Sequence, residues 1–173
     1  MKFKKAAFTL IELIISISIL SIMMIFLYKS YSSLNVSNSN LKDETRRVEK
    51  FQKIKKVIYL DFLTALPNST LTTNREKNED AVFLQTTNSR HGRFNPYVAY
   101  MVKDAKLYRL ESLKKITDYL LPSDSEFDID YVGEVNGFRV YKSSDAKKEI
   151  YLVHVDFKTM DDVLLKIKVL NEE

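Results

Sequence analysis

The sequence predicts an α+β protein: one long N-terminal helix, apolar in its first half and amphipathic in its second, followed by an antiparallel β-sheet domain. Three observations carry this. From Phe8 to Tyr28 the chain reads FTLIELIISISILSIMMIFLY, in which Glu12 is the only charged side chain. Between Leu41 and Leu66 apolar residues recur at spacings of three, four and seven, the period of a helix with one buried face. After Pro67 the period changes to two, as in strands with one wet face and one dry face.

Composition narrows the function before any motif is read. The chain has 173 residues, no Cys, three Gly and two His. That length buries a real core in one domain, with or without an appendage. Zero Cys excludes a disulfide scaffold, a thiolate zinc site and a cysteine nucleophile. Neither GxGxxG nor GxxxxGK[ST] occurs, so no glycine-rich phosphate loop is present. His91 and His154 alone do not make a histidine metal site. No cofactor and no metal are expected. The charge is also uneven. Without Lys2, Lys4 and Lys5 of the segment Met1–Ala7, the 27 cationic side chains become 24 against 23 acids, and the net charge falls from +4 to +1. The basic balance therefore reflects the N-terminus and says little about nucleic acid.

The apolar segment 8–28 holds 21 residues, which as a helix span roughly 30 Å, about one bilayer core. Ser16, Ser18 and Ser21 are tolerable there, because a Ser hydroxyl can bond back to the preceding turn. Three Lys before the segment, against Lys29 just after it, predict a cytoplasmic N-terminus and an exported body. A secretory signal peptide would have a shorter apolar region and then a small-x-small cleavage site; here the run continues through Met23, Met24, Ile25 and Phe26. A plain single-pass anchor leaves Glu12 unexplained. A carboxylate at mid-bilayer costs about 2.5–3.5 kcal/mol on insertion scales and marks a functional group by default.

The stretch Lys4-Lys5-Ala6-Ala7-Phe8-Thr9-Leu10-Ile11-Glu12-Leu13 resembles the class III leader of type IV pilins and type II secretion pseudopilins. The resemblance implies that a prepilin peptidase cuts between Ala7 and Phe8 and methylates the new amine of Phe8. It also implies that Glu12 meets the N-terminal amine of a neighbouring subunit. One departure is that the family usually carries Gly where Ala7 stands, so slower processing is expected. The implied fold is pilin-like: leader 1–7, transmembrane half 8–28, amphipathic half 29–66, and a globular β-rich domain 67–173.

Along the body, Ser30–Asn40 is rich in Ser and Asn, which weaken a helix without breaking it. The amphipathic face then runs through Leu41, Val48, Phe51, Ile54, Ile58, Phe62 and Leu66, with Lys42, Arg46, Glu49, Lys50 and Lys53 opposite, and Pro67 ends it. Ala81–Thr86 reads as a strand. Tyr97–Val102 and Lys106–Leu110 read as a hairpin around Lys103–Ala105. Leu113–Leu121 reads as a short helix before Pro122. Phe127–Val135 and Phe138–Lys142 flank Asn136-Gly137, which predicts a two-residue type I′ turn. Tyr151, Val153, Val155 and Phe157 share one face of a strand, and after the turn Thr159–Asp162 so do Val163, Leu165, Ile167 and Val169. Val98, Tyr100, Leu107, Tyr108 and Arg109 resemble the V-x-Y and L-Y-R strands of the J-type minor pseudopilin and its PilW-like relatives.

Other constellations are weaker. Asp124, Glu126, Asp128 and Asp130 alternate with apolar residues and lack the Gly and terminal Glu of a calcium loop, so they read as a solvated strand face. Arg46, Lys50 and Lys53, with Arg90 and Arg93, could contact phosphates, but Glu44 and Glu49 interrupt the stripe and DNA is not the favoured partner. His91 reads as a surface loop residue and His154 as a cross-strand partner. His154 and Asp156 share a strand face, yet no Ser stands in a Gly-x-Ser-x-Gly turn, and no catalytic residue is assigned. The resemblance implies a structural subunit, a minor pseudopilin or pilin that primes or caps a secretion pseudopilus or pilus-like filament. Its partners would be other subunits, the prepilin peptidase and the inner membrane, with the C-terminal domain periplasmic. The alternatives are a competence-type pilin contacting DNA and a monomeric membrane-anchored binding protein.

Overall fold

The computed structural model describes residues 9–76, 78–116, 127–144 and 149–170. It is a pilin-like α+β structure: the helix α1 (Leu10–Leu63) followed by a seven-stranded sheet. By contact density the chain divides at Glu49, and each part is treated by itself.

In the first part the helix continues through Ser30–Asn40 without a break. Ser16, Ser18 and Ser21 each donate their hydroxyl to the carbonyl four residues back, at 2.7–2.8 Å, as expected for Ser in an apolar helix. Every residue from Leu10 to Lys50 is exposed. Leu41 and Val48 belong to this uncovered stretch, so the buried stripe of the amphipathic half starts only at Phe51.

The second part begins at Lys50. Here Ile58 and Phe62 are sealed, and Phe51 and Ile54 pack beside them. The helix stops at Leu63; the chain then forms a bridge between Ala65 and Thr86, and the Leu66 N–H donates to the Gln85 carbonyl at 2.7 Å. The strands follow in sheet order: β1 (Leu71–Glu76), β2 (Glu79–Gln85), β3 (Tyr97–Lys103), β4 (Lys106–Ser112), β5 (Asp128–Lys142), β6 (Ile150–Phe157) and β7 (Val163–Lys168). All sequential neighbours are antiparallel, and β2 also touches β5 in parallel at Glu79–Phe138.

β6 and β7 alternate as the period-two pattern requires, with Val153, Val155, Val163 and Ile167 inside and Lys166 and Lys168 outside. β2 and β3 are buried on both faces. Val82, Leu84, Val98 and Tyr100 face the main core with Phe62, whereas Ala81, Phe83, Ala99 and Met101 face a second cluster with Leu110 and Ile116. That double burial is why these strands read as near-continuous apolar runs. Phe62 is the hub of the main core, its ring 6.2 Å from Tyr100 and 5.7 Å from Tyr151.

Asn136-Gly137 is not a turn. It lies inside β5, a single 15-residue strand, and neither residue has positive φ. Two bulges bend this strand. Val132 is the extra residue between the pairs Leu107–Gly133 and Tyr108–Tyr131, and Asn136 between Val135–Phe157 and Gly137–Asp156. The first stretch of β5 pairs with β4 and the second with β6. Gly137 is there for space: an added Cβ would lie 3.2 Å from the Asn78 carbonyl oxygen, which accepts the Phe138 N–H at 2.8 Å. Just beyond, the Val140 N–H donates to Asp80 Oδ2 at 2.8 Å, so a side chain extends the β2–β5 contact.

The type I′ turn occurs instead between β3 and β4, where Asp104 and Ala105 have φ of 51° and 55°. The expected short helix is also corrected: Leu113–Ile116 are not helical, and the remainder of that segment, with Asp124 and Glu126, lies outside the described residues. Ser112 Oγ accepts the Lys114 N–H at 2.9 Å, a local bond that competes with helix formation.

Candidate functional site

Two groups of polar side chains stand out, one at each end of α1. Ala7 and Phe8 lie outside the described residues, but Glu12 is described. Thr9 precedes the helix, and its N–H and Oγ1–H both donate to Glu12 Oε2, at 2.9 and 2.8 Å. The Glu12 N–H returns a longer bond to Thr9 Oγ1 at 3.4 Å. This is a capping box, with Thr at the cap and Glu three residues on. It satisfies helix donors that would otherwise be orphaned, and it places an acid where the helix dipole favours one.

The second group is sealed in the globular part. Arg109, on β4, is fully buried between two carboxylates. Its Nε and Nη2 donate to Asp61 on α1, at 2.7 and 3.1 Å, and its Nη1 donates to Glu111 at 2.6 Å. Tyr100 on β3 donates its hydroxyl to Asp61 at 2.6 Å, and Asn88 Nδ2 adds a bond of 2.7 Å. Glu111 also accepts the Ser89 hydroxyl and the N–H groups of Arg90 and His91, at 3.0 and 3.3 Å. The cluster thus ties the last turn of α1, β3, β4 and the loop 87–96 into one block. Burial alone would lower the Arg109 pKa, but bonding to Asp61 outweighs it and the result is raised. Burial works against a charged Glu111 too, yet Ser89, Arg109 and Arg90 hold its carboxyl below the usual range. Burial and the nearby Asp61 charge keep the Tyr100 hydroxyl protonated well beyond its ordinary pKa. A buried pair of this kind adds little net stability over an apolar one, but breaking one partner is costly.

One helix, Leu10–Leu63, is long and apolar enough to cross a membrane. The family described as the prokaryotic N-terminal methylation motif matches residues 2–28. Over those residues the chain carries the N-terminal motif of type IV pilins and pseudopilins. No curated protein matches it. The motif belongs to a structural family, and it implies processing by a prepilin peptidase and assembly with other pilin subunits. The apolar helix and the motif agree with a membrane-anchored pilin.

Several of the other candidate residues find ordinary partners. Arg90 Nη1 lies 3.3 Å from Asp130 Oδ1, and Arg93 Nη2 lies 2.7 Å from Asp128 Oδ2. His91 Nε2 is 3.2 Å from Asp130 Oδ2, so it is tied to a strand rather than loose in a loop. His154 lies 3.6 Å from Asp162, a turn residue, and Asp156 accepts Asn136 Nδ2 at 3.0 Å. Among the described residues no group of His, Asp and Glu has the geometry of a metal site. The buried role of Asp61 was hidden in the sequence, although one signal exists: a carboxylate between Ile58 and Phe62, on the stripe that the period marks as buried. Arg109 sits likewise in the middle of β4, flanked by Tyr108 and Leu110.

Proposed function

We propose that this protein is a minor subunit of a type II secretion pseudopilus or type IV pilus-like filament, where it primes assembly or caps the tip. In this reading residues 1–7 are a leader removed between Ala7 and Phe8, and the Phe8 amine is N-methylated. Residues 8–28 cross the inner membrane with the N-terminus in the cytoplasm, 29–66 form the second half of the helix, and 67–173 form the exported domain. The carrying observation is an apolar helix surface, exposed along its length from Leu10 to Tyr28, on a chain with a methylation motif. Such a surface needs lipid or neighbouring helices around it. The lysines at positions 2, 4 and 5 support the orientation.

Glu12 sets the register in this mechanism. Both Thr9 donors fall on Oε2, which leaves Oε1 able to accept an ammonium from the Phe8 of a neighbour. In low dielectric that pairing is far stronger than at a surface. Arg90 and Arg93 each already hold an acid, which weighs against the DNA-contacting alternative. Mass spectrometry of membrane-extracted protein should find a chain that starts at Phe8 with a methylated amine. Glu12→Val should be cleaved normally yet fail to cross-link to partner pilins. An intact Met1 sinks the family reading, and wild-type assembly of the variant sinks the role of Glu12.

A further inference from the structure

A cleft of about 180 Å³ opens in the globular part between the last turns of α1 and the sheet. Its walls are apolar, formed by Ile54, Val57, Ile58 and Val132, and the ring of Tyr131, half exposed, stands at its side. Its rim is cationic: Lys50, Lys53 and Arg90 all line it. Among the described residues neither lysine has an ion-pair partner, although Glu49 stands beside them in sequence. Arg90 has Asp130 on one nitrogen only, and its side chain remains 46% exposed. The floor is closed by Tyr100 and Arg109, whose acids Asp61 and Glu111 are themselves saturated with donors. Counting the buried cluster and the rim together, Arg109, Arg90, Lys50 and Lys53 face Asp61, Glu111 and Asp130, so one positive charge is left over, and the unneutralised charge lies at the mouth.

We infer that this cleft binds an acidic segment of a partner protein, one carboxylate meeting Lys50, Lys53 and Arg90 while an adjacent apolar side chain enters between Ile54 and Val132. Three features favour a peptide over a phosphate-bearing ligand. The volume admits a side chain or two and falls below the range of small-molecule sites, about 300–1,000 Å³. The walls reward an apolar group next to the charge. The backbone N–H nest that adjoins the cleft, at Arg90 and His91, is filled by Glu111, so a phosphate would meet side chains alone. Fixed cations around a small apolar slot also raise the association rate of an acidic partner. This deepens the filament reading, in which a neighbouring subunit presents that segment. The binding itself belongs to one chain and is measured on it.

The test uses the full chain in detergent micelles and a fluorescein-labelled decapeptide of alternating Glu and Leu, read by anisotropy. The wild type should bind it, and Lys50→Glu combined with Lys53→Glu should weaken binding at least tenfold. Both lysines are exposed, so circular dichroism should show the same melting curve for the two proteins. Raising salt from 50 to 500 mM should weaken wild-type binding and leave the variant nearly unchanged. Equal affinity of wild type and variant overturns the proposal. So does equal binding of a Lys-Leu decapeptide, which would indicate adhesion through Leu alone. Displacement of the peptide by millimolar inorganic phosphate at constant ionic strength also overturns it, and would assign a small-anion site instead. Failure of Glu12→Val to abolish assembly would refute the filament mechanism without touching this measurement.

Discussion

Leu41 and Val48 are 63% and 56% exposed, whereas Ile58 and Phe62, on the same helix and in the same apolar stripe, are 1% and 0% exposed. The carboxylates contrast in the same way. Glu12 is held by its own helix cap, three residues away, while Asp61 is held by Arg109, Tyr100 and Asn88 from distant parts of the chain. Among the described residues the first region is organised by local bonds and leaves its apolar surface exposed. The second has spent its apolar surface on its own sheet, and the price is a buried charge that must be fully bonded. Helical period therefore says that a stripe wants cover; it does not say who supplies it.

Removing Asp61 should separate the two regions most sharply. Asp61→Ala leaves Arg109 buried beside unequal partners and should cost about 3–5 kcal/mol in urea unfolding followed by tyrosine fluorescence. Asp61→Leu with Arg109→Met should recover part of that loss, since an apolar replacement of a buried pair is tolerated. Phe62→Ala should cost a similar amount, about 3–5 kcal/mol, through lost packing. Leu41→Ala in the isolated chain should stay within about 0.5 kcal/mol of wild type, because Leu41 is 63% exposed among the described residues. A large loss for Leu41→Ala would erase the contrast drawn here.

Acid should act on the second region through Glu111. Its carboxyl is held below the ordinary 4.5 in the folded chain, so the folded state binds fewer protons than the unfolded one. The stability it contributes is present above that value and is lost as pH falls through the lowered folded pKa. Glu111→Gln should cost about 1.5–3 kcal/mol at neutral pH and flatten the stability profile below pH about 4.5. An unchanged acid slope in the variant would assign the effect to other carboxylates.

The smallest effects concern the turn and the bulge. Ala105→Gly should stabilise the chain by about 1 kcal/mol or less, since Ala at φ 55° pays a left-handed penalty that Gly avoids. Gly137→Ala should destabilise by about 1–2 kcal/mol, because its Cβ would press on the Asn78 carbonyl. If Gly137→Ala instead behaves like an ordinary strand substitution, the close approach of the β1–β2 turn is not what holds Gly there.

The sequence by itself determined the elements whose signals are local. The apolar segment after three lysines, the helix that survives its Ser/Asn stretch, and the alternation of β6 and β7 all follow from neighbours in the chain. The Thr9–Glu12 cap also lies within one turn of helix, although the resemblance implies for Glu12 only the amine of a neighbouring subunit. What tertiary structure alone decided are the pairings between distant segments. Asn136-Gly137 has the composition of a turn, but the contacts of β5 with β4, β6 and the Asn78 carbonyl outweigh it and carry the strand on through a bulge. Asp104-Ala105 has a poorer turn composition, yet the pairing of β3 with β4 leaves only those two residues to reverse the chain. Asp61 lies on the buried stripe of the helix, but its partners Arg109 and Tyr100 come from strands that lie 39 to 48 residues further on. A local preference is worth about 1 kcal/mol, whereas losing a buried ring, or one partner of a buried ion pair, costs about 3–5 kcal/mol, so wherever the two disagree the distant contact prevails.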